Sequence, residues 1–303
     1  MEENRAQRAF RQAVGVLPPR LRQGALSLRD EEQSQVEELR LRMGRPMTAV
    51  FPQGERSFPG LTIQPRELEQ LVELASHASL HTVLDQICQG YLTIEGGHRI
   101  GLCGTAVMRG GAVHNLRALS SANLRIARQV TGVGSAVLDR LCTQGRLEST
   151  LILAPPGLGK TTLLRDLIRR ASDGEGCTPL RVSVADERGE LAALYRGRPQ
   201  LDVGERTDVL EGCPKGQGLI LLLRAMNPQV LAVDEITAPE DVQALRTAAG
   251  CGVILLATAH GASREDLERR ALYRDLLAEG MLRKLVCIRR EQGQRIYTVE
   301  ELS

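Results

Sequence analysis

The stretch Ala154-Pro155-Pro156-Gly157-Leu158-Gly159-Lys160-Thr161-Thr162 has the residue types and spacing to hold a phosphate. It follows the apolar run Leu151-Ile152-Leu153, so it reads as a buried strand, a glycine-rich turn and a helix starting near Lys160. A turn of that kind converges backbone N–H groups on an anion, and the positive end of the helix dipole adds to the attraction. In such a cradle Pro156, Gly157, Leu158, Gly159 and Thr162 wrap the phosphates of ATP, Lys160 reaches the β- and γ-phosphates, and the Thr161 hydroxyl completes the shell of a Mg²⁺ ion. Ala154 stands where the G-x-x-x-x-G-K-[ST] pattern has its first glycine. Its methyl restricts positive φ and close backbone approach, so a slightly stiffer loop is expected.

Two further groups could supply the rest of a phosphoryl-transfer site. Leu231-Ala232-Val233 runs into Asp234-Glu235. Asp234 is placed to hold Mg²⁺ through water and Glu235 to polarise an attacking water. Ser183-Val184-Ala185 runs into Asp186-Glu187-Arg188, a second site where Glu187 could position a water or the pair could be associated with a metal, and where Arg188 could answer a phosphate. The plainer reading of that turn is an exposed salt-bridged loop. Leu255-Leu256-Ala257 leads to Thr258 and His260. A lone histidine is more often structural, but at a strand end it is placed to sense a γ-phosphate. An arginine from a neighbouring subunit often completes such sites. Arg206, and after it Arg224, are the candidates among 36 arginines (39 basic residues less three lysines).

The elements that must hold these residues divide the chain in two. Over residues 136–303, apolar strands at Leu151–Leu153, Val182–Val184, Val230–Val233 and Val253–Ala257 alternate with amphipathic helices, the signature of a parallel sheet covered on both faces. Ligands bind such sheets at the carboxyl ends of the strands, where every candidate falls. Leu285–Arg290, Gln292-Gly293 and Arg295–Val299 read as a closing hairpin. Residues 1–135 read as a smaller α+β domain. Its opening helix carries Arg5, Arg8 and Arg11 on one face and ends at Pro18-Pro19. A half-buried strand over Glu38–Met43 places Arg40 and Arg42 on one face, and a helix is predicted from Pro65 to Leu80. Tyr91–Ile94 with Arg99–Leu102 predicts a hairpin, and Ala106–Met108 with Ala112-Val113 a second.

Composition narrows the classes. In 303 residues, 42% are hydrophobic and 25% charged, ordinary for a globular protein, while only 2% are aromatic, so the core must be aliphatic. The net charge of +2 asks for neither nucleic acid nor a membrane surface. Seven scattered cysteines, an odd number with no C-x-x-C pair, fit reduced thiols in a cytosol and neither a disulfide framework nor a zinc site. The polar start, Met1-Glu2-Glu3-Asn4-Arg5, does not read as a signal peptide. No apolar run approaches the ~20 residues that span a bilayer, so any membrane role would have to be peripheral.

Together with Gly44-Arg45-Pro46, Gly96-Gly97-His98-Arg99, Ser120–Arg128, Asp202–Leu210, Cys213-Pro214-Lys215 and Ala259-His260-Gly261, these motifs resemble the stage III sporulation AA family. That family is a branch of the secretion-superfamily ATPases, which include the type II and type IV secretion and pilus motors. The resemblance runs from residue 38 to residue 261. It implies a RecA-like P-loop core with an N-terminal domain, in a ring-shaped homo-hexamer that hydrolyses ATP. It also implies a cytoplasmic place on the mother-cell side, peripheral to the membrane, energising channel proteins that lead to the forespore. Asp186-Glu187-Arg188 would then be an acidic box, Asp234-Glu235 the Walker B pair and His260 the histidine box. Gly189 stands where a serine is expected.

Two other classes share the phosphate loop. A nucleic-acid-stimulated RecA-like ATPase needs a basic channel with stacking aromatics. The chain has three Phe and four Tyr, and its first 135 residues carry 16 Arg against 13 acids, a net +3, so no nucleic-acid partner is expected. A small-molecule kinase needs a lid that excludes water, and no arginine-rich lid segment stands out.

Overall fold

The computed structural model describes residues 5–76 and 83–302. The chain forms two compact units, Met1–Arg128 with Ala193–Gln200, and Gln129–Ala192 with Leu201–Ser303.

In the first unit, β1 (Glu38–Arg42), β2 (Pro46–Phe51), β3 (Gly54–Thr62), β4 (Tyr91–Thr93), β5 (Arg99–Arg109) and β6 (Ala112–Arg125) form an antiparallel sheet in the order β3-β2-β1-β6-β5-β4. The helices are α1 (Arg5–Ala13), α2 (Pro19–Leu26), α3 (Asp30–Gln33), α4 (Pro65–Ala75) and α5 (Leu84–Cys88). Alternation decides which face is covered. Leu39 and Leu41 are fully buried with Phe10, Leu21, Leu68 and Leu124, whereas Arg40 and Arg42 point the other way. Truncating a side chain such as Leu124 to Ala would cost about 2–5 kcal/mol.

Two elements differ from the sequence expectation. Helix α1 stops at Ala13, a 3₁₀ turn follows at Val14–Val16, and Pro19 starts α2 instead of ending α1, as a proline at the first helical position does. The two predicted hairpins over residues 91–113 share one strand. β5 runs unbroken from Arg99 to Arg109, with a register shift between Cys103 and Thr105. Gly104 permits this, because a Cβ there would lie 2.7 Å from the Arg117 carbonyl oxygen. Residues 77–80 of the predicted helix and residues 1–4 of the polar start lie outside the described residues. Beside β5, His98 is 1% exposed and its Nδ1 accepts the Ala127 N–H at 3.1 Å. Burial pushes its pKa down to about 4.

The second unit holds two short ribbon strands, β7 (Cys142–Thr143) and β8 (Arg146–Leu147), then β9 (Thr150–Ala154) and β10 (Val182–Asp186). β11 (Leu194–Tyr195) and β12 (Arg198–Pro199) form a small ribbon that belongs to the first unit. β13 (Thr207–Glu211), β14 (Val230–Val233), β15 (Ile254–His260), β16 (Lys284–Glu291) and β17 (Gln294–Glu301) come next. The main sheet has the order β13-β10-β14-β15-β9-β16-β17, parallel except for the β16–β17 hairpin. Helices α6 (Leu138–Leu141), α7 (Lys160–Asp173), α8 (Lys215–Ala225), α9 (Pro239–Gly250), α10 (Arg264–Glu268) and α11 (Ala271–Ala278) complete the unit. The four apolar runs are strands β9, β10, β14 and β15, and residues 285–299 form the hairpin. Strand β13 has no counterpart in the sequence expectation. Its Thr-Asp-Val-Leu-Glu is only half-buried at the sheet edge, so it lacks the apolar signature of its neighbours. No helix among the described residues is long and apolar enough to cross a membrane.

Candidate active site

The strand order sets the site. β10, β14, β15 and β9 are consecutive neighbours and parallel, so their carboxyl ends lie side by side. At those ends stand, in that order, the Asp186-Glu187 turn, Asp234-Glu235, Thr258 with His260, and the phosphate loop.

Helix α7 begins at Lys160, and Gly157 and Gly159 before it have φ of +77° and +95°, the left-handed region that glycine enters without strain. Four N–H groups at the start of such a helix lack intrahelical partners and are available to an anion. Ala154 is the last residue of β9, pairs in register with His260 and is 1% exposed. Its backbone is not left-handed, so the position tolerates a methyl. The Arg295 guanidinium lies over the loop, because a Cβ on Gly159 would meet its Cζ at 3.3 Å.

Lys160 is buried, and burial lowers the pKa of its ammonium against the opposing charges of Asp234, Glu235 and Glu190. Its Nζ lies 2.9 Å from His260 Nδ1. An ammonium can only donate, so Nδ1 accepts and Nε2 carries the proton. That Nε2 is 2.6 Å from Glu235 Oε1. Thr161 Oγ1 donates to Asp234 Oδ2 at 2.6 Å, and Thr258 Oγ1 donates to Asp234 Oδ1 at 2.6 Å while accepting the Glu235 N–H at 2.8 Å. Glu235 has φ +57°, a conformation that costs a non-glycine residue about 1–2 kcal/mol and that often marks a functional position.

The neighbouring acidic turn divides its labour. Asp186 is buried and accepts the N–H groups of Glu190, Leu191 and Ala192 at 2.8–3.0 Å. Burial raises its pKa and those N–H groups oppose the rise. The buried Arg165 binds the Leu191 and Glu190 carbonyls and closes the same loop. Asp186 thus shapes the turn, and Glu187 is the carboxylate that faces the cleft. Gly189 has φ +64°, and a Cβ would fall 2.8 Å from Glu211 Oε1, which explains glycine where serine was expected. Asp186, Glu187, Arg188, Lys215, Asp234 and Glu235 border a cavity of about 20 Å³, room for about one water molecule.

Pro156, Gly157, Leu158, Gly159, Lys160, Thr161, Thr162, Glu187, Asp234, Glu235 and His260 therefore share one end of the sheet. Arg206 does not join them. Its N–H donates to Ser172 Oγ and its guanidinium to the Ser172 carbonyl, at the opposite end, just before β13. Arg224 is exposed near the end of α8. In the first unit Arg40 and Arg42 are ion-paired with Glu38 and Glu55. Sequence reasoning misses Lys215 and Arg295 as site residues. One is marked by its rarity as one of three lysines, the other by nothing, since its approach to Gly159 depends on β16 pairing with β9.

The fold is a RecA-like P-loop core with a smaller N-terminal α+β domain. Among solved structures, the pilus retraction motor PilT with bound ADP is similar, at TM-score 0.59 and 17% identity, over 88% of this chain and 79% of that one. The ATPase DotB of Yersinia pseudotuberculosis is similar at TM-score 0.57 and 14% identity, over 88% and 75%. At these identities the likeness is one of fold. The chain belongs to the family described as sporulation stage III, protein AA, whose profile matches residues 7–299. It is 37% identical to stage III sporulation protein AA of Bacillus subtilis (strain 168) over 279 residues, covering 92% of this chain and 90% of that one. An uncharacterized protein ycf45 of Porphyra purpurea is 34% identical over 154 residues, half of this chain and 26% of its own length.

Proposed function

We propose that the protein is an ATPase of the secretion type, and that as a homo-hexamer it energises a sporulation-associated channel between mother cell and forespore. The observation that carries the catalytic part is the convergence of the phosphate loop, Asp234 and Glu235 at adjacent strand ends, joined through Lys160 and His260. The sporulation setting, the ring, the peripheral place on the mother-cell side of the membrane and the channel proteins as partners rest on family membership.

In this reading the loop N–H groups and Lys160 bind the phosphates, and the bond from Lys160 to His260 is exchanged for bonds to phosphate oxygens. Glu235 holds a water in the adjacent cleft and takes its proton as the water attacks the γ-phosphoryl group, with ADP leaving. Glu187 positions that water from the other side. His260 orients Glu235 through Nε2 and reports the γ-phosphate through the partner of Nδ1. Arg206, exposed and remote in its own chain, acts in this reading on a neighbour's site.

The residues fit a Mg²⁺ ion. Thr161 and Asp234 offer hard oxygens within 2.6 Å of each other, and Mg²⁺ is usually held by one or two protein groups plus phosphates. Among the described residues no cluster of three His, Cys, Asp or Glu could hold a metal alone. When bound, the ion would neutralise charge on the β- and γ-phosphates.

ATP hydrolysis across a protein concentration series, with Lys160→Ala alongside and mass by light scattering with and without ATP, tests the proposal. Specific activity should rise with concentration, vanish in the variant and track a larger ring. Equal specific activity in a monomer would sink the ring motor.

A further inference from the structure

Lys215 opens α8, directly after Cys213-Pro214, and is 8% exposed. Its Nζ donates to the Glu235 carbonyl oxygen at 2.7 Å and to Thr237 Oγ1 at 3.2 Å, and it faces Glu187 Oε2 at 3.4 Å. Glu187 follows β10, whereas Glu235 and Thr237 follow β14, the next strand in the sheet. One amine therefore joins the two acidic turns, by hydrogen bonds to Glu235 and Thr237 and an ion pair with Glu187.

Glu235 is held at both its N–H and its carbonyl. At φ +57° it sits where a side chain is kept only if its surroundings fix both of its peptide groups. Thr258 takes its N–H and Lys215 its carbonyl. The lysine thus fixes the backbone that carries the carboxylate, while His260 Nε2 holds the carboxylate itself at 2.6 Å. The charge facing Glu187 sets the other wall of the water-sized cleft.

We propose that Lys215 is a positioning residue that pins the strained Glu235 backbone and holds Glu187 in register with it, so that both carboxylates address one water. This rests on the hydrolytic reading above. Its contacts are with the Glu235 carbonyl, Thr237 and Glu187, so the geometry ties Lys215 to the acidic turns and not to the phosphate loop. Removing it should leave nucleotide binding intact and impair only the step that needs the water in place, where a misplacement of about 1 Å can cost roughly 10²-fold.

The test compares Lys215→Met, which keeps the aliphatic stem, with Lys215→Arg, using phosphate release, a fluorescent ATP analogue and amide hydrogen exchange on the full chain. Lys215→Met should lower kcat by about 10–10², with KM and analogue affinity within about two-fold, and Lys215→Arg should recover part of the loss. Exchange should rise over residues 187–192 and 234–237 and stay unchanged over 157–162. Unchanged kcat, an equal loss of nucleotide affinity, or unchanged exchange in both turns would overturn the proposal. If the wild-type protein hydrolyses no ATP, the functional reading fails, and exchange still decides whether Lys215 holds the turns. Should Lys215→Met not fold, Lys215→Gln, which keeps a donor for the Glu235 carbonyl but no charge for Glu187, serves with the same readouts.

Discussion

The Lys160 ammonium donates to Nδ1 of His260 at 2.9 Å, which leaves the opposite ring nitrogen to donate to Glu235. The group that would bind phosphate is thus linked through one imidazole to the group that would activate water. His260→Ala frees the amine from a partner it must otherwise leave, and removes a donor to Glu235. Affinity for a fluorescent ATP analogue should be unchanged or tighter, while phosphate release should fall about 10²-fold, within the usual range for losing support of a general base. A large loss of affinity would contradict this arrangement.

Thr258 is completely buried and bonds both Asp234 and the Glu235 N–H. Thr258→Val keeps the shape and leaves two polar groups without their partner. Asp234 and Glu235 are half-buried and Asp234 keeps Thr161, so the expected loss is about 1–3 kcal/mol in total, read as a lower urea midpoint with unchanged slope. A midpoint within error of the wild type would count against the bonding described.

Gly189→Ser tests the turn after β10. At φ +64°, with Glu211 at 2.8 Å from the new Cβ, the substitution should cost at least about 1–2 kcal/mol from the left-handed backbone alone. Thermal unfolding should show a lowered Tm, and Gly189→Ala should behave alike, because the cost lies in the Cβ and not in the hydroxyl.

His98 makes stability depend on pH. Its folded pKa is depressed from 6.5 to about 4 by burial, so the unfolded chain binds a proton that the folded chain refuses. The contribution is full above about pH 6.5 and is lost as pH falls toward 4. The loss between pH 7 and pH 5 should be about 2 kcal/mol. Urea titrations at both values check this, with His98→Gln expected to flatten the dependence.

Much of the site was legible because phosphate loops and strand-end acids are local patterns. The runs Leu151–Leu153 and Leu231–Val233 announce buried parallel strands, and the residues that leave each strand must emerge at the same edge of the sheet. Lys215 and Arg295 were not legible, since each reaches the site through a pairing or a helix approach that no spacing encodes. The same holds for Asp186. Sequence shows two adjacent acids, and only burial and three backbone N–H groups separate the structural one from the one facing the cleft. Strand β13 escaped because a half-buried edge lacks the apolar run that marks the others.

The ribbon Ala193–Gln200 belongs to the first unit, although the chain on both sides of it belongs to the second. The polypeptide therefore passes between the units three times, at residues 128, 192 and 200. A single cut near residue 135 cannot yield two intact halves, because a C-terminal fragment would carry a ribbon stripped of its own core. The crossing at Ala192 comes directly after the loop that caps Asp186. The chain thus leaves the turn that shapes the acidic box and enters the other unit's ribbon without an intervening linker.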